Sequence, residues 1–225
     1  MYNNDFVFLD TETTGFKKGS KNVAEGHSIV EIALLRLRHD GTLIPYQQYI
    51  NPMHEIDPEA FKVHGLSRDF LASYPTFKEC AAQIQSQLQG ARLIAHNASF
   101  DLAFLDEEFA RISYPHTLSM AIECVDTLAI ARKKFPGQRN SLDALCLRFG
   151  ISIAHRSFHG ALKDCYLLAE VYKALRREQT ALNFDKSTNH LTMTERQAEE
   201  VQIFSCNVTD LEQHDHERFL QKYCS

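Results

Sequence analysis

The sequence predicts an α/β fold: a mixed five-stranded sheet flanked by helices, followed by a linker and a short helical tail. Three observations carry that reading. "FVFLDTETTGF", residues 6 to 16, opens as a buried strand. "SIVEIALLRLRHDGTLIPYQQYI" reads as two strands turned at Asp40-Gly41, a strong hairpin signal. From Thr76 onward helical and strand patterns alternate, which lays helices over a sheet that is parallel in part.

In chain order, residues 5 to 11 are the first, central strand and the hairpin supplies the next two. "TFKECAAQIQSQLQG" has helical spacing, with Thr76 as N-cap and Gly90 as a stop. "RLIAH" is a short apolar strand running into "NASFDLAFLDEEFARI", a helix with Phe100, Phe104, Leu105 and Phe109 on its apolar stripe. "ECVDTLAIARKKF" is a last strand feeding a helix, "SLDALCLRFG" a short helix ended by Gly150, and "GALKDCYLLAEVYKALRRE" a long final helix. The domain thus covers residues 1–180. The polar, aperiodic stretch that follows is a linker over 181–203. Residues 204–225 regain structure: Thr209 and Glu212 have capping-box spacing ahead of "QHDHERFLQKY".

A chain of 225 residues, 44% hydrophobic and 24% charged, supports one sizeable core. No apolar run approaches the ~20 residues of a membrane span. "MYNNDF" lacks the features of a signal peptide, so a cytoplasmic protein is expected. Six cysteines, Cys80, Cys124, Cys146, Cys165, Cys206 and Cys224, form no C-x-x-C pair and point to neither zinc nor a disulfide framework. The net charge of −5 is uneven: residues 185–225 hold eight acidic against four basic residues, leaving only −1 for the rest. Positive charge bunches at Lys17, Lys18 and Lys21 and at Arg132, Lys133, Lys134 and Arg139, where phosphates are one partner and plain solvent the other.

Side chains two apart on a strand share a face, so Asp10 and Glu12 project together from the end of the first strand. Two carboxylates about 4 Å apart repel by ~1 kcal/mol in water and ~4 kcal/mol at the effective dielectric of a partly buried site. A cation reverses that sign. Asp101 starts a helix just beyond "LIAHN", and strand ends of an α/β sheet share one functional edge. His159 stands five residues before Asp164, too far for one helical face, which puts His159 in a loop and Asp164 one turn inside the helix.

Asp10, Glu12, Asp101, His159 and Asp164, in "DTETTG", "HNASFD" and "HGALKD", resemble in order and context the three motifs of the DEDD exonucleases, in the H-x4-D subgroup. "EGHSIVEIA", "DPEAFKVHGLS", "FPGQRNSLDALC" and "HGALKDCYLLAEVY" are similar to the proofreading epsilon subunits of bacterial DNA polymerase III over residues 5 to 180. The resemblance implies a ribonuclease H-like fold and stepwise 3′-to-5′ release of nucleoside monophosphates from single-stranded or mismatched DNA ends. It implies two Mg²⁺ or Mn²⁺ ions, which favour hard oxygen ligands. Asp10 would bridge both, Glu12 and Asp164 would hold the ion bearing the attacking water, and Asp101 would help hold the other. His159 would be the general base, a role suited to an imidazole near neutral pH.

For substrate, the turn at Thr13, Thr14 and Gly15 would offer backbone donors, and His64 would lie near the terminal sugar and base. Asn97 and Phe100 would lie along the same cleft, and Arg156 would meet phosphate or brace its loop. Gln179, Leu182 and Phe184, residues 179–184, have the Q-x-x-L-x-F spacing of peptides that dock on the bacterial sliding clamp (beta). The tail resembles the segment that attaches epsilon subunits to the polymerase alpha subunit, with Phe204, Leu211, Phe219 and Leu220 as apolar contacts; a small third core subunit is a further partner of the family. An RNA-trimming DEDD enzyme and a noncatalytic polymerase–clamp adaptor are the alternatives, and the intact five-residue set disfavours the adaptor.

Overall fold

A computed structural model describes residues 5–113, 123–153 and 159–184, with the backbone alone over 178–184. Strands β1 (Phe6–Thr13), β2 (Ile29–Leu37), β3 (Leu43–Tyr49), β4 (Arg92–Ala95) and β5 (Cys124–Asp126) form one sheet in the order β3-β2-β1-β4-β5. β1 runs antiparallel to β2 and parallel to β4, so the sheet is mixed and changes sense at its central strand. The hairpin between β2 and β3 turns where the Asp40-Gly41 signal places it. Arg38 N–H donates to Thr42 O at 2.9 Å, the Asp40 carboxylate accepts from Thr42 N–H at 2.9 Å, and Gly41 takes φ 86°. Such left-handed geometry favours glycine.

Two short helices between β3 and the next long helix have no counterpart among the predicted elements: α1 (Pro58–His64) and α2 (Arg68–Leu71). Neither carries an apolar stripe long enough to show periodicity. Their punctuation is present, however, with Pro58 at the start of α1 and Gly65 just past its end. Helix α3 (Phe77–Leu88) begins as predicted, with the Glu79 carboxylate accepting from the Thr76 N–H at 2.7 Å and the Thr76 hydroxyl at 2.8 Å. Helices α4 (Ala98–Arg111), α5 (Thr127–Lys134) and α6 (Leu142–Arg148) follow the expected order. The last helix, α7 (Ala161–Phe184), runs further than predicted and takes in the backbone of 179–184. "EQTALNF" contains no proline or glycine to end a helix.

The sheet buries both faces. Val7, Leu9, Ile32 and Leu34 pack with Ile84 of α3 and Phe104, Leu105 and Phe109 of α4. Phe8, Ala33, Leu35 and Ile94 pack with Ala161, Cys165 and Leu168 of α7. This two-sided burial explains why β1 and β2 read as continuous apolar runs rather than alternating ones. Cys80, Cys124, Cys146 and Cys165 are not in disulfides, and Cys165 donates weakly to Phe8 O and Ala33 O beneath α7. No helix among the described residues is long and apolar enough to cross a membrane.

Candidate active site

The alternation that sends Val7 and Leu9 to one face of β1 and Phe8 to the other continues into the polar end of the strand. Thr11 therefore faces α4, while Asp10 and Glu12 face α7. β4 pairs with β1 only at Phe6, Val7 and Phe8, whereas β2 accompanies it to Thr13. Beyond Phe8 one flank of β1 is thus released from the ladder, and helices α4 and α7 bring further polar groups to the strand end. α4 brings the buried Asp101 to Thr11, whose hydroxyl donates to its carboxylate at 2.7 Å. α7 brings the buried Asp164 in its first turn. His159 sits in the loop just before α7, its Nδ1 3.3 Å from Asp164 Oδ2. Ligand atoms of Glu12, His159 and Asp164 all lie within 4.8 Å of one another.

The charges are crowded. Burial raises the Asp10 carboxyl well above its ordinary range, and the negative charges of Asp101, Asp164, Glu12 and Glu31 raise it further. Burial also pushes Asp101 up to about 7, against the opposing pull of the Thr11 hydrogen bond. Glu31 lies directly across the ladder from Glu12 and is almost fully buried. Burial raises it too, while Gln47 Nε2 donating at 2.6 Å and the Ala161 backbone N–H hold it down. Three neighbouring carboxyls, Asp10, Asp101 and Glu31, are thus shifted toward their neutral forms, an electrostatic pattern that a cation would relieve.

Beside the carboxylates lies a cavity of about 430 Å³ lined by Thr11, Glu12, Thr13, Gly15, Phe16, Lys18, Asp57, Glu59, Ala60, Val63, His64 and Phe100. A Cβ on Gly15 would stand 2.2 Å from the Asp57 carboxylate, so only glycine fits that turn as packed. Thr14 departs from expectation. Its N–H donates to Ser28 O at 2.8 Å, its hydroxyl accepts from Ser28 N–H at 3.0 Å, and it is fully buried, so its donor is spent inside the protein. Asn97 departs as well: it lines a second cavity, of about 760 Å³, with His96, Arg132, Gln138 and Asn140, and does not share the cleft of Phe100. The cause is local, because Asn97 caps α4 in the left-handed conformation with its N–H bound to Asp126. Arg156 lies outside the described residues, as do Phe204, Leu211, Phe219, Leu220 and the side chains of Gln179, Leu182 and Phe184.

A family model described as exonuclease matches residues 7–172. The DNA polymerase III epsilon subunit of Escherichia coli (strain K12) is 44% identical over 183 residues, covering 79% of this chain and 74% of that relative. The chain belongs to the DNA polymerase III epsilon family of exonucleases. Another epsilon subunit, from Haemophilus influenzae, is 40% identical over 203 residues, covering 87% of this chain and 78% of the relative. One from Buchnera aphidicola (subsp. Acyrthosiphon pisum) is 34% identical over 221 residues, 96% of this chain and 93% of the relative. Among solved structures, Exonuclease X in complex with 5′ overhanging duplex DNA superposes with a TM-score of 0.59 at 26% identity, covering 78% of this chain and 93% of that one. Escherichia coli Exonuclease I with a dT13 oligonucleotide shares the fold, with a TM-score of 0.67 at 22% identity over 81% of this chain and 43% of that one.

As an epsilon-family member the chain is a metal-dependent 3′-to-5′ exonuclease, and its donor set fits a hard divalent cation: several carboxylates, one imidazole and no thiolate in the cluster. Sequence reasoning missed Thr11, Glu31, Phe16 and Asp57. Thr11 and Glu31 stand in the quoted motifs, but only the packing of α4 and α7 onto the strand end reveals what they hold. In the two basic clusters, Lys17 pairs with Glu25 at 2.8 Å and Lys134 donates to Leu175 O, while Lys18 and Arg132 line cavities.

Proposed function

We propose that this epsilon-family exonuclease removes the terminal nucleotide from single-stranded or frayed DNA 3′ ends. Two divalent cations, Mg²⁺ or Mn²⁺, are held by Asp10, Glu12, Asp101 and Asp164, and His159 is the general base. The observation that carries this reading is the convergence of Glu12, His159 and Asp164 within 4.8 Å beside a cavity of nucleotide size. When bound, the cations supply Lewis acidity and a lowered water pKa. The protein does the rest. The Asp164 carboxylate orients the imidazole through Nδ1, and the tautomer that donates from Nδ1 carries its lone pair on Nε2, the atom that takes the proton. Thr13, Gly15, Phe16 and His64 line the cavity that would take the terminal nucleotide. Because the cavity accepts an unpaired terminus, each matched end must be opened at about 1.4 kcal/mol per stacked step, and mismatched ends open for less.

His159→Ala tests the assignment. Turnover on single-stranded DNA is expected to fall roughly 10²- to 10⁴-fold, while Mn²⁺ still raises the melting temperature as in the parent. Near-normal digestion by that variant would sink the role of His159. Running matched DNA, mismatched DNA and RNA side by side identifies the substrate.

For partners, residues 179–184 are read as a clamp-binding peptide and 204–225 as the polymerase-binding tail, with 181–203 between them, in a cytoplasmic replication protein. Supporting this, the alignment with the Buchnera relative spans 96% of the chain and so extends into the tail. Removing residues 185–225 is expected to abolish co-elution with a polymerase alpha subunit and leave nuclease activity intact. Retained association refutes the tail's role.

A further inference from the structure

The last turn of α1 joins the two sides of the catalytic cluster. Thr13, the residue after Glu12, engages the His64 ring, with its carbonyl oxygen 3.2 Å from Nε2. The other ring nitrogen, Nδ1, accepts from the Leu66 N–H at 3.0 Å, which fixes the tautomer: Nε2 carries the proton and donates it to Thr13. Gly65, in the left-handed conformation with its N–H on Phe61 O at 2.8 Å, reverses the chain so that Leu66 can reach back to the ring. On the other side of His64, the Val63 carbonyl accepts from the backbone N–H of His159 at 3.0 Å. Two hydrogen bonds therefore connect the segment bearing Glu12 to the residue bearing the general base, and they pass through the adjacent pair Val63–His64.

Resting on the reading of His159 as base, we propose that His64 is a positioning residue: its ring pins the α1 turn to β1, and that turn holds His159 in register with Glu12 and Asp164. Both ring nitrogens are engaged within the protein, so His64 offers a nucleotide its ring surface and not a hydrogen bond. Ala60, Val63 and His64 also wall the 430 Å³ cavity. A nucleotide seated there would contact the same turn that holds His159.

Two full-length variants separate positioning from nucleotide binding. His64→Leu keeps an apolar wall but loses both hydrogen bonds; His64→Gln retains a donor and an acceptor. On a single-stranded oligonucleotide with Mg²⁺, His64→Leu is expected to lower kcat at least tenfold with KM, and the Kd of dTMP by calorimetry, changed less than about threefold. His64→Gln is expected to regain kcat to within about fivefold of the parent. Hydrogen exchange should quicken in the peptide containing His159 for His64→Leu and not for His64→Gln. The proposal is overturned if His64→Leu raises KM and the dTMP Kd while sparing kcat, or if its kcat matches the parent. Should His64→Leu not fold, a His64→Gln enzyme that folds but loses kcat at unchanged KM overturns it alone. The parent and His159→Ala run alongside. An inert parent, or an active His159→Ala, defeats the functional reading itself, whereas an active parent and inert His159→Ala with a fully active His64→Leu defeats only the positioning role.

Discussion

The end of β1 presents different chemistry on its two faces. Toward α4 stands one carboxylate, Asp101, with a hydroxyl of its own: Thr11 donates to it at 2.7 Å. Toward α7 stand Asp10, Glu12, Glu31 and Asp164, with His159 as the neighbouring base, and electrostatic repulsion among them is the rule. The strand treats both faces alike up to Leu9, burying apolar side chains on each. What differs is how the charge beyond Leu9 is compensated. On the α4 face one hydrogen bond offsets only part of the cost of burying Asp101; the α7 face carries more negative charge than its donors neutralise, an excess that bound cations would offset. Crowding therefore marks the face where metal matters most.

The sharpest way to break that contrast is to remove a charge from the crowded face. Asp10→Asn should lower turnover roughly a thousandfold, since lost metal stabilisation of several kcal/mol at ~1.4 kcal/mol per tenfold gives that scale. The same substitution should raise the melting temperature in EDTA at pH 8 by several degrees, because it relieves repulsion at a buried site. Loss of both activity and metal-free stability would show instead that Asp10 supports the fold. The pH dependence has a definite sign. Asp101 titrates near 7 in the folded protein against an ordinary 3.8, so its neutral form is favoured by folding. That contribution is fully present below about pH 4 and is lost as pH rises through 7, a change on the order of 4 kcal/mol if the site stays metal-free. Mg²⁺ or Mn²⁺ should thus raise the melting temperature far more at pH 8 than at pH 5, as calorimetric scans with and without metal will show. Equal increments at the two pH values would contradict the account.

A smaller effect is expected on the quieter face. Thr11→Val preserves shape and removes only the donor to Asp101. A hydrogen bond to a charged group contributes about 1.5–3 kcal/mol, so turnover should fall between about tenfold and a hundredfold. Because that bond lowers the Asp101 pKa, losing it should also move the acidic limb of the pH–rate profile to higher pH at limiting metal. A profile that drops uniformly without shifting would mean that Thr11 acts on packing alone.

How much of this was readable beforehand follows from how local each signal is. Asp10, Glu12, Asp101 and Asp164 were legible because each stands at a strand end or a helix start that neighbouring residues specify. The sheet was legible for the same reason, down to the Asp40-Gly41 turn. Glu31 left a trace, one carboxylate inside the apolar run "IVEIALL", but its meaning depends on the ladder register that sets it opposite Glu12. Thr14 and Asn97 are held by partners distant in sequence, Ser28 and Asp126, that no periodicity reveals. The brace through His64 needed α1, whose Pro58 and Gly65 marked its ends while its seven residues were too few to show a stripe.

The least effect belongs to the rim of the nucleotide cavity, where Phe16 meets Phe100 edge-on with centroids 5.8 Å apart. Phe100 leans in turn on the buried Phe104 at 4.9 Å, so the pair is anchored to the core through one ring and open to solvent through the other. Phe16 is 46% exposed, with Lys18 Nζ 5.7 Å from its centroid, which puts an aromatic face and a cation where a terminal base and its phosphate would lie. Base–aromatic stacking is worth ~1–3 kcal/mol per base, and an exposed ring realises the lower end. Phe16→Ala should therefore raise KM roughly fivefold with kcat and melting temperature nearly unchanged, and the preference for mismatched over matched ends should persist, because that preference arises from opening the duplex. If Phe16→Ala instead lowered the melting temperature by several degrees, the ring would belong to the α4 core and the boundary between packing and binding would lie one residue further out.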